Sequence, residues 1–268
     1  MWRIQSQSRT LAAAAAIGAA LLLAPAASAQ GPSYATTLAV GQLEVELSLQ
    51  FEQAIGATAQ NLGVSVRLVN ASELLGRLPS GVSLPSGLPL LVSIEPPAEG
   101  GLTFTGVATL ELHTHDLAYS PQLLLFKSSG GGPFVDITQG VGMGSHRVRG
   151  SSGGFSEFLI LADTRPLSAV VNGKLQRLAA LLDAHQAAMP EELADELAGR
   201  LLAAQSAWSL GQTRQAIDEV NAFSEAVKAA SGTSIPDVWR SSRDLTNVAG
   251  ELRAAAGTLR FSLSAAGG

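Results

Sequence analysis

The spacing of the apolar residues changes near Arg165-Pro166, and this change constrains the fold more than any other feature of the chain. Before it, short runs alternate between apolar and polar residues. After it, apolar residues recur three and four positions apart. Alternation with period two is typical of a strand with one buried face, and the longer spacing is typical of an amphipathic helix. The sequence therefore predicts a β-rich first part followed by a helical second part.

The alternating pattern is clearest at residues 43–51. One side of this segment is apolar and carries Leu43, Val45, Leu47, Leu49 and Phe51. Turn residues such as Gly100-Gly101 separate it from eight more strand candidates, at 62–68, 88–95, 101–105, 107–115, 122–127, 134–138, 145–149 and 155–161. About nine short strands at this spacing are typical of an antiparallel β-sandwich.

The second part divides into four amphipathic segments, which begin at Pro166, Pro190, Thr213 and Ser234. Proline suits the first position of a helix, Thr213 is a candidate cap for the third segment, and Gly232 closes it. Each segment has one apolar stripe. We therefore expect the four helices to bury these stripes against one another as a bundle, in preference to a membrane or a partner groove.

Residues 1–29 have the features of a secretory signal peptide. Arg3 and Arg9 charge the start, residues 11–23 form an uncharged apolar run, and Ala27-Ser28-Ala29 suits a signal peptidase. The run is shorter than the roughly 20 residues that a membrane-spanning helix needs. We expect a soluble protein that is secreted or periplasmic, with no membrane attachment after cleavage. The composition of the leader suits a bacterial exported protein.

Composition excludes several classes of function. Removing the leader leaves 239 residues and changes the net charge from −5 to −7, because two arginines and no acids are lost. An acidic chain whose densest basic cluster is Arg147 and Arg149 is not expected to bind nucleic acid. The chain has no cysteine, which excludes disulfides, thiolate metal sites and a cysteine nucleophile. We expect three parts: the leader 1–29, a sandwich domain 30–164 and a helical domain 165–268.

Part of the chain resembles a known sandwich type. The segments 94–97, 101–104 and 110–112 resemble the opening of the domain shared by ankyrins and netrin receptors, and 123–127, 134–138 and 154–158 resemble its later strands. Phe134 stands where that family usually has Trp, and Gly154 where it usually has His. In the helical part, residues 211–235 resemble the FIMAH-type modules of exported bacterial proteins. The resemblance implies a non-catalytic, modular, exported protein and transfers no functional residue.

The most suggestive polar group is Glu111, His113 and His115. Within the predicted strand 107–115, period two places these three side chains on the face opposite Ala108, Leu110 and Leu112. Two histidines at i and i+2 on a strand are a plausible zinc pair, which usually needs a third and a fourth ligand. Asp116 is adjacent, but no distant ligand can be identified. An ordinary polar outer face of the sandwich is the favoured interpretation.

Other motifs indicate structure more than chemistry. Residues 150–154 match G-x-S-x-G, but a nucleophile elbow needs a helix after the serine, whereas a strand is predicted there. A glycine-rich turn is the favoured interpretation of this segment. The glycines at 140, 142 and 144 lack the Lys-Ser/Thr ending of a phosphate loop and indicate a hairpin. His146 and His185 stand alone and are interpreted as packing or surface residues.

The sequence thus predicts an α+β chain, an N-terminal antiparallel β-sandwich followed by a C-terminal four-helix bundle. We expect an exported, non-catalytic monomer with a binding or structural role, whose partners are other exported proteins or cell-surface polymers. We assign it no catalytic, cofactor-binding or metal-ligating residue and expect no cofactor. The alternative is a metal-dependent enzyme or binder that uses the face with Glu111, His113 and His115.

Overall fold

The computed structural model describes residues 32–267, so the predicted leader lies outside the described residues. Twelve strands are present in this part of the chain. They are β1 Ser33–Val40, β2 Leu43–Ile55, β3 Val64–Leu68, β4 Val82–Ser83, β5 Leu90–Ile94, β6 Thr103–Ala118, β7 Leu123–Ser128, β8 Val135–Asp136, β9 Thr138–Gly142, β10 Ser145–Ser152, β11 Glu157–Asp163 and β12 Val238–Arg240.

The strands form two antiparallel sheets. The first has the order β1-β2-β6-β10-β9, with β12 also paired to β6, and the second has the order β3-β5-β11-β7-β8, with β4 also paired to β11. The main core includes the inward residues of both sheets, among them Leu47, Leu110, Val92 and Ile160. The predicted sandwich is confirmed.

Alternation in β2 is as the sequence predicts. Val45, Leu47, Leu49 and Phe51 are buried, while Glu44, Glu46 and Gln50 are exposed on the other face. The second sheet differs, because its strands β5 and β11 are buried on both faces. A second apolar cluster includes residues of these strands together with a segment that contains a 3-10 helix, Ala71–Leu74; its members are Val69, Leu74, Val82, Leu91, Phe126, Phe134, Leu159 and Leu161.

One prediction about the strands is wrong. The segments 101–105 and 107–115 are parts of a single strand, β6, which continues through Gly106. Gly106 has φ +70°, in the left-handed region, and a Cβ there would collide with the carboxylate of Glu52. Glycine therefore allows β6 to continue past the side chain of Glu52, whereas the sequence pattern indicates a break between two strands at this residue. The sequence does not predict strands β1, β4 and β12, and of β9 it predicts only the first residue, Thr138.

The helices are α1 Ala59–Leu62, α2 Leu167–His185, α3 Glu191–Ser209, α4 Thr213–Ala230 and α5 Val248–Gly267. The four long helices after residue 165 confirm the predicted fold class. Helix α5 packs against α2, α4 and the strands β6, β9 and β10. It carries small buried residues such as Ala255 and Ala256, which allow close approach on several sides.

Two predictions about helix starts are wrong. Thr213 is the first residue of α4, which Gln212 precedes without a side-chain cap. The fourth helix begins at Val248, and the region expected to open it forms β12, which pairs with β6. Trp239 of β12 lies with its ring centroid 5.3 Å from that of Phe104 and 5.5 Å from that of Phe155. Burial of this indole in the sandwich core outweighs the local helical pattern.

A buried polar centre joins the helices to the second sheet. Nζ of Lys174 on α2 lies 2.5 Å from Oδ2 of Asp136 on β8 and donates to the hydroxyls of Thr258 and Ser262 on α5, at 2.7 and 2.9 Å. Because Lys174 and Asp136 are both buried, each charge depends on the other. The division at residue 165 into two domains stays a prediction, since β12 comes from the second part and pairs within the first.

Candidate metal centre

The outward face of the first sheet brings together side chains from β2, β6 and β10. Strand β6 presents Glu111, His113 and His115 at alternate positions, as the sequence predicts. In the antiparallel register, Glu46 of β2 lies opposite His113, and Ser48 lies opposite Glu111. Directly opposed residues of an antiparallel pair have neighbouring Cβ atoms, so the register decides which side chains meet.

Glu46, His113 and His115 form one cluster of potential metal ligands. Oε2 of Glu46 lies 2.7 Å from Nδ1 of His113, and the rings of His113 and His115 have centroids 4.7 Å apart. One carboxylate oxygen and one nitrogen from each ring all lie within 4.8 Å of one another. Three potential ligands from two neighbouring strands thus converge at one place.

Ser145, the first residue of β10, contacts the far side of the His113 ring. Its Oγ lies 2.6 Å from Nε2 of His113. The pairing of β10 with β6 is irregular between Ser145 and His146, which places Ser145 opposite Ala118 instead of continuing the register. The hydrogen bond to Glu46 needs the proton on Nδ1. When Nε2 instead donates to the Ser145 hydroxyl, Nδ1 carries the lone pair and no longer donates to Glu46, and this is the tautomer in which Nδ1 could bind a metal ion.

The electrostatics of the cluster favour an ionised carboxylate. The hydrogen bond from His113 lowers the pKa of Glu46, and the nearby charge of Arg147 acts in the same direction. Glu46 is exposed, His113 is buried and His115 is exposed. The cluster is therefore fixed by one buried imidazole and is open to solvent on its other side.

The remaining acids of this region bind elsewhere. Glu111, which the sequence grouped with the histidines, lies with Oε1 3.3 Å from Nε of Arg147. Oδ2 of Asp116 accepts a hydrogen bond of 2.8 Å from the backbone N–H of Glu44. The carboxylate beside the histidines is that of Glu46, which sequence reasoning missed. Its only sequence signal is its position on the polar face of the alternating segment 43–51.

The other two histidines lie apart from the cluster. His146 is fully buried in β10, and neither ring nitrogen has a hydrogen-bond partner within the described part of the chain. Burial lowers the pKa of this ring, which favours the neutral imidazole. Nε2 of His185 lies 3.0 Å from Oε2 of Glu251 on α5. His146 is therefore a packing residue, and His185 connects α2 to α5.

The two glycine-rich motifs are only partly as predicted, because residues 150–152, expected in a turn, belong to β10. Ser152 ends β10, and the chain continues into β11 without a helix, so the geometry of a nucleophile elbow is absent from this segment. Gly140 and Gly142, expected in a hairpin connection, lie in strand β9, and Gly144, with φ +98°, lies in the turn to β10. This turn is a hairpin connection.

The cluster has the chemistry of a site for a transition-metal ion. Two imidazoles and one carboxylate suit zinc and similar divalent ions, whereas calcium and magnesium prefer oxygen ligands alone. Tetrahedral zinc with bonds of about 2.0 Å needs ligand atoms about 3.3 Å apart. The exposed side chains of Glu46 and His115 can rotate to approach Nδ1 of His113, and a fourth position would remain open.

Three further findings concern the chain outside this cluster. Between residues 32 and 267, no helix is both long enough and apolar enough to span a bilayer. No curated protein matches this chain. The model of a family of unknown function (DUF6689) matches residues 8–266, nearly the whole sequence, and the chain belongs to this family.

Proposed function

We propose that this chain is an exported, non-catalytic protein with a binding or structural role outside the cytoplasm, and that its sandwich binds a divalent transition-metal ion through Glu46, His113 and His115. The observation that carries the metal site is the convergence of these three side chains within 4.8 Å. The proposal departs from the expectation that no residue holds a metal. The reason is Glu46, the distant ligand that the sequence did not identify.

The leader supports export to the periplasm or the medium of a bacterial cell. Arg3, Arg9 and the apolar run 11–23 have the order of a secretory signal, and the small residues at 27–29 suit cleavage. The resemblance to the ankyrin and netrin-receptor sandwich and to FIMAH-type helical modules agrees with export, because both domain types occur in exported bacterial proteins. The proposed partners are other exported proteins or cell-surface polymers, and the proposed state is a monomer.

The location of the cluster supports binding in preference to catalysis. Glu46 and His115 are exposed on a sheet face, and four well-formed cavities among residues 32–267 are lined by other side chains. An enzyme site is usually a cleft that excludes water and converges several polar groups on a substrate. A metal-dependent enzyme is the alternative, and it is favoured by the number of ligands, because three protein ligands would leave the fourth position of a tetrahedral ion open to water or substrate.

Zinc titration by calorimetry tests the metal site. We expect one zinc ion to bind to the mature chain, and we expect His115→Ala and Glu46→Gln each to weaken binding at least about tenfold. Both residues are exposed, so neither change removes a buried group. Glu44→Gln is the matched control, because Glu44 lies on the same face of β2, two residues away, and should bind zinc like the unmodified chain.

Two results would overturn this assignment. The first is an absence of stoichiometric zinc binding by the unmodified chain. The second is binding that His115→Ala and Glu46→Gln leave unchanged, because zinc would then be held elsewhere. Turnover of an ester or phosphate substrate that requires zinc and is lost in His115→Ala would favour the enzyme alternative.

A further inference from the structure

A cavity of about 270 Å³ lies where helices α2 and α5 meet strands β7, β8 and β10. Its volume is close to the lower limit of small-ligand pockets, roughly 300 Å³. Apolar side chains form much of its lining, with Pro133, Val135, Ile137, Leu181, Ala254 and Ala255. Lys127, Ser152, Arg177 and Glu251 add polar groups. Apolar walls with a few polar groups are typical of a site for a small molecule.

Lys127 of β7 has an unused donor at this cavity. Its Nζ donates to Oγ of Ser152 at 2.6 Å and to the carbonyl oxygen of Gly154 at 2.8 Å. An ammonium group has three N–H donors, so one remains. Both acceptors are neutral, and none of the described residues forms an ion pair with Lys127. No described carboxylate therefore contacts the ammonium group of Lys127.

Arg177 of α2 supplies a second cation to the same cavity. Its guanidinium makes no hydrogen bond or ion pair with any residue between 32 and 267. The acids that line the cavity contact other groups, because Glu251 lies 3.0 Å from His185 and Asp136 lies 2.5 Å from Lys174. The charge of Glu251 acts on Lys127 and Arg177 through space without an ion-pair contact to either. The cavity thus holds two cations that no carboxylate between residues 32 and 267 contacts directly.

We propose that this cavity binds a small organic monocarboxylate, with its carboxylate between Lys127 and Arg177 and its apolar body against Leu181 and Ala255. The planar fork of an arginine matches the two oxygens of a carboxylate, and the lysine supplies a point charge. Such contacts are stronger in a partly dehydrated cavity than on the surface. The site is separate from the metal centre and does not depend on it.

The titration of Lys127 is consistent with this arrangement. Removal from water lowers the pKa of Lys127 to about 8; the charge of Glu251 raises it and that of Arg177 lowers it. Desolvation therefore opposes the ammonium form in the ligand-free cavity. A bound carboxylate would stabilise the charged lysine and raise its pKa.

Calorimetry with hexanoate tests the proposal, and hexanol serves as the uncharged analogue. At pH 7 we expect hexanoate to bind the mature chain and hexanol to bind at least about tenfold more weakly. Arg177→Gln and Lys127→Met should each weaken hexanoate binding by a similar factor. Arg214→Gln, which replaces an exposed arginine on α4, is the control and should leave binding unchanged.

Three outcomes would overturn the proposal. The first is the absence of any heat of binding when hexanoate is titrated up to roughly 10 mM. Equal binding of hexanol shows that the cavity recognises only an apolar chain. Unchanged hexanoate affinity in Arg177→Gln shows that the carboxylate lies elsewhere, and this result is independent of the folding of Lys127→Met because Arg177 is exposed.

Discussion

Glu46 of β2 and His113 of β6 are direct register partners, and Oε2 of the glutamate lies 2.7 Å from Nδ1 of the histidine. This pairing joins a polar position of β2 to the H-x-H pair of β6, the central strand of the first sheet. Since His115 is next to His113 on the same face, one cross-strand contact turns two histidines into a potential three-ligand site.

Ser145 should act on zinc affinity through His113. Its hydroxyl lies 2.6 Å from Nε2 of that ring and orients it without belonging to the ligand set. Loss of such a partner typically weakens metal binding about 10- to 100-fold. We therefore expect Ser145→Ala to lower zinc affinity at least about tenfold by calorimetry with one site retained. Ser48→Ala, on the same sheet face, is the control, and equal affinities in the two variants would contradict the orienting role.

Gly106 should resist substitution because of both its backbone angle and its neighbour. It has φ +70°, and a Cβ would collide with the carboxylate of Glu52. Gly41 has φ +65° with no atom near its Cβ position, so it isolates the conformational cost. We expect Gly106→Ala to lower the free energy of unfolding by about 2 kcal/mol, because Glu52 must also move away from Arg253, and Gly41→Ala by about 1 kcal/mol, in urea denaturation. Equal losses would show that the contact with Glu52 relaxes freely.

The buried ion pair of Lys174 and Asp136 should matter most when only one partner is removed. Desolvation lowers the pKa of Lys174, and the contact with Asp136 opposes this shift. Lys174→Met leaves a buried carboxylate without its cation, and we expect a loss of about 3–5 kcal/mol in unfolding free energy. The double variant with Asp136→Asn should recover part of that loss. A single variant that costs less than about 1 kcal/mol would contradict the interpretation.

Lys127 should make hexanoate binding depend on pH. Its pKa of about 8 lies below the ordinary lysine value of 10.5, so the ligand-free ammonium loses its proton as the pH rises through 8. Affinity should fall roughly thirtyfold between pH 7 and pH 9.5, because binding must then restore that proton. The charged groups that face the cavity are Arg177, Glu251 and Asp136. Calorimetry at several pH values measures the effect, and a flat profile would contradict it.

The same shift has a defined effect on stability. Between about pH 8 and 10.5 the unfolded chain keeps the lysine proton that the folded chain has released, so folding stability rises with pH over this range. Below pH 8 the cost of the buried charge is fully present. Lys127→Met should remove this part of the pH dependence, as measured by urea denaturation of both proteins.

The leader predicts the first residue of the exported protein. Cleavage after Ala29 should leave Gln30 at the N-terminus. Mass spectrometry of the protein from the exported fraction of a bacterial host measures this directly. Arg substitution within the apolar run, as in Leu21→Arg, should retain the chain in the cytoplasm, while Gln5→Arg should not. Recovery of the exported chain with residues 1–29 intact would contradict cleavage.

The sequence predicted the fold class and most strands because period two and period 3.6 are strong in this chain. Two errors have one cause, which is that local pattern says nothing about distant packing. The segment at Trp239 forms β12 because its indole packs with Phe104 and Phe155, and Gly106 continues a strand because it passes Glu52. Gly154 has a similar explanation, since a Cβ there would lie 2.9 Å from Nε1 of Trp239.

The sequence alone identifies two of the three candidate ligands. The H-x-H pair and its face follow from the alternation within β6, so His113 and His115 were identified. Glu46 was not, because strand order and register depend on long-range pairing that one sequence does not show. Glu111 was grouped with the histidines by proximity along the chain, and the structure pairs it with Arg147 of β10.

X-ray absorption at the zinc edge tests the central claim most directly. With one equivalent of zinc on the mature chain, we expect a first shell at about 2.0 Å with the outer-shell scattering of two imidazoles, and one imidazole in His115→Ala. A spectrum without imidazole scattering, or one that His115→Ala leaves unchanged, would contradict a metal site at Glu46, His113 and His115.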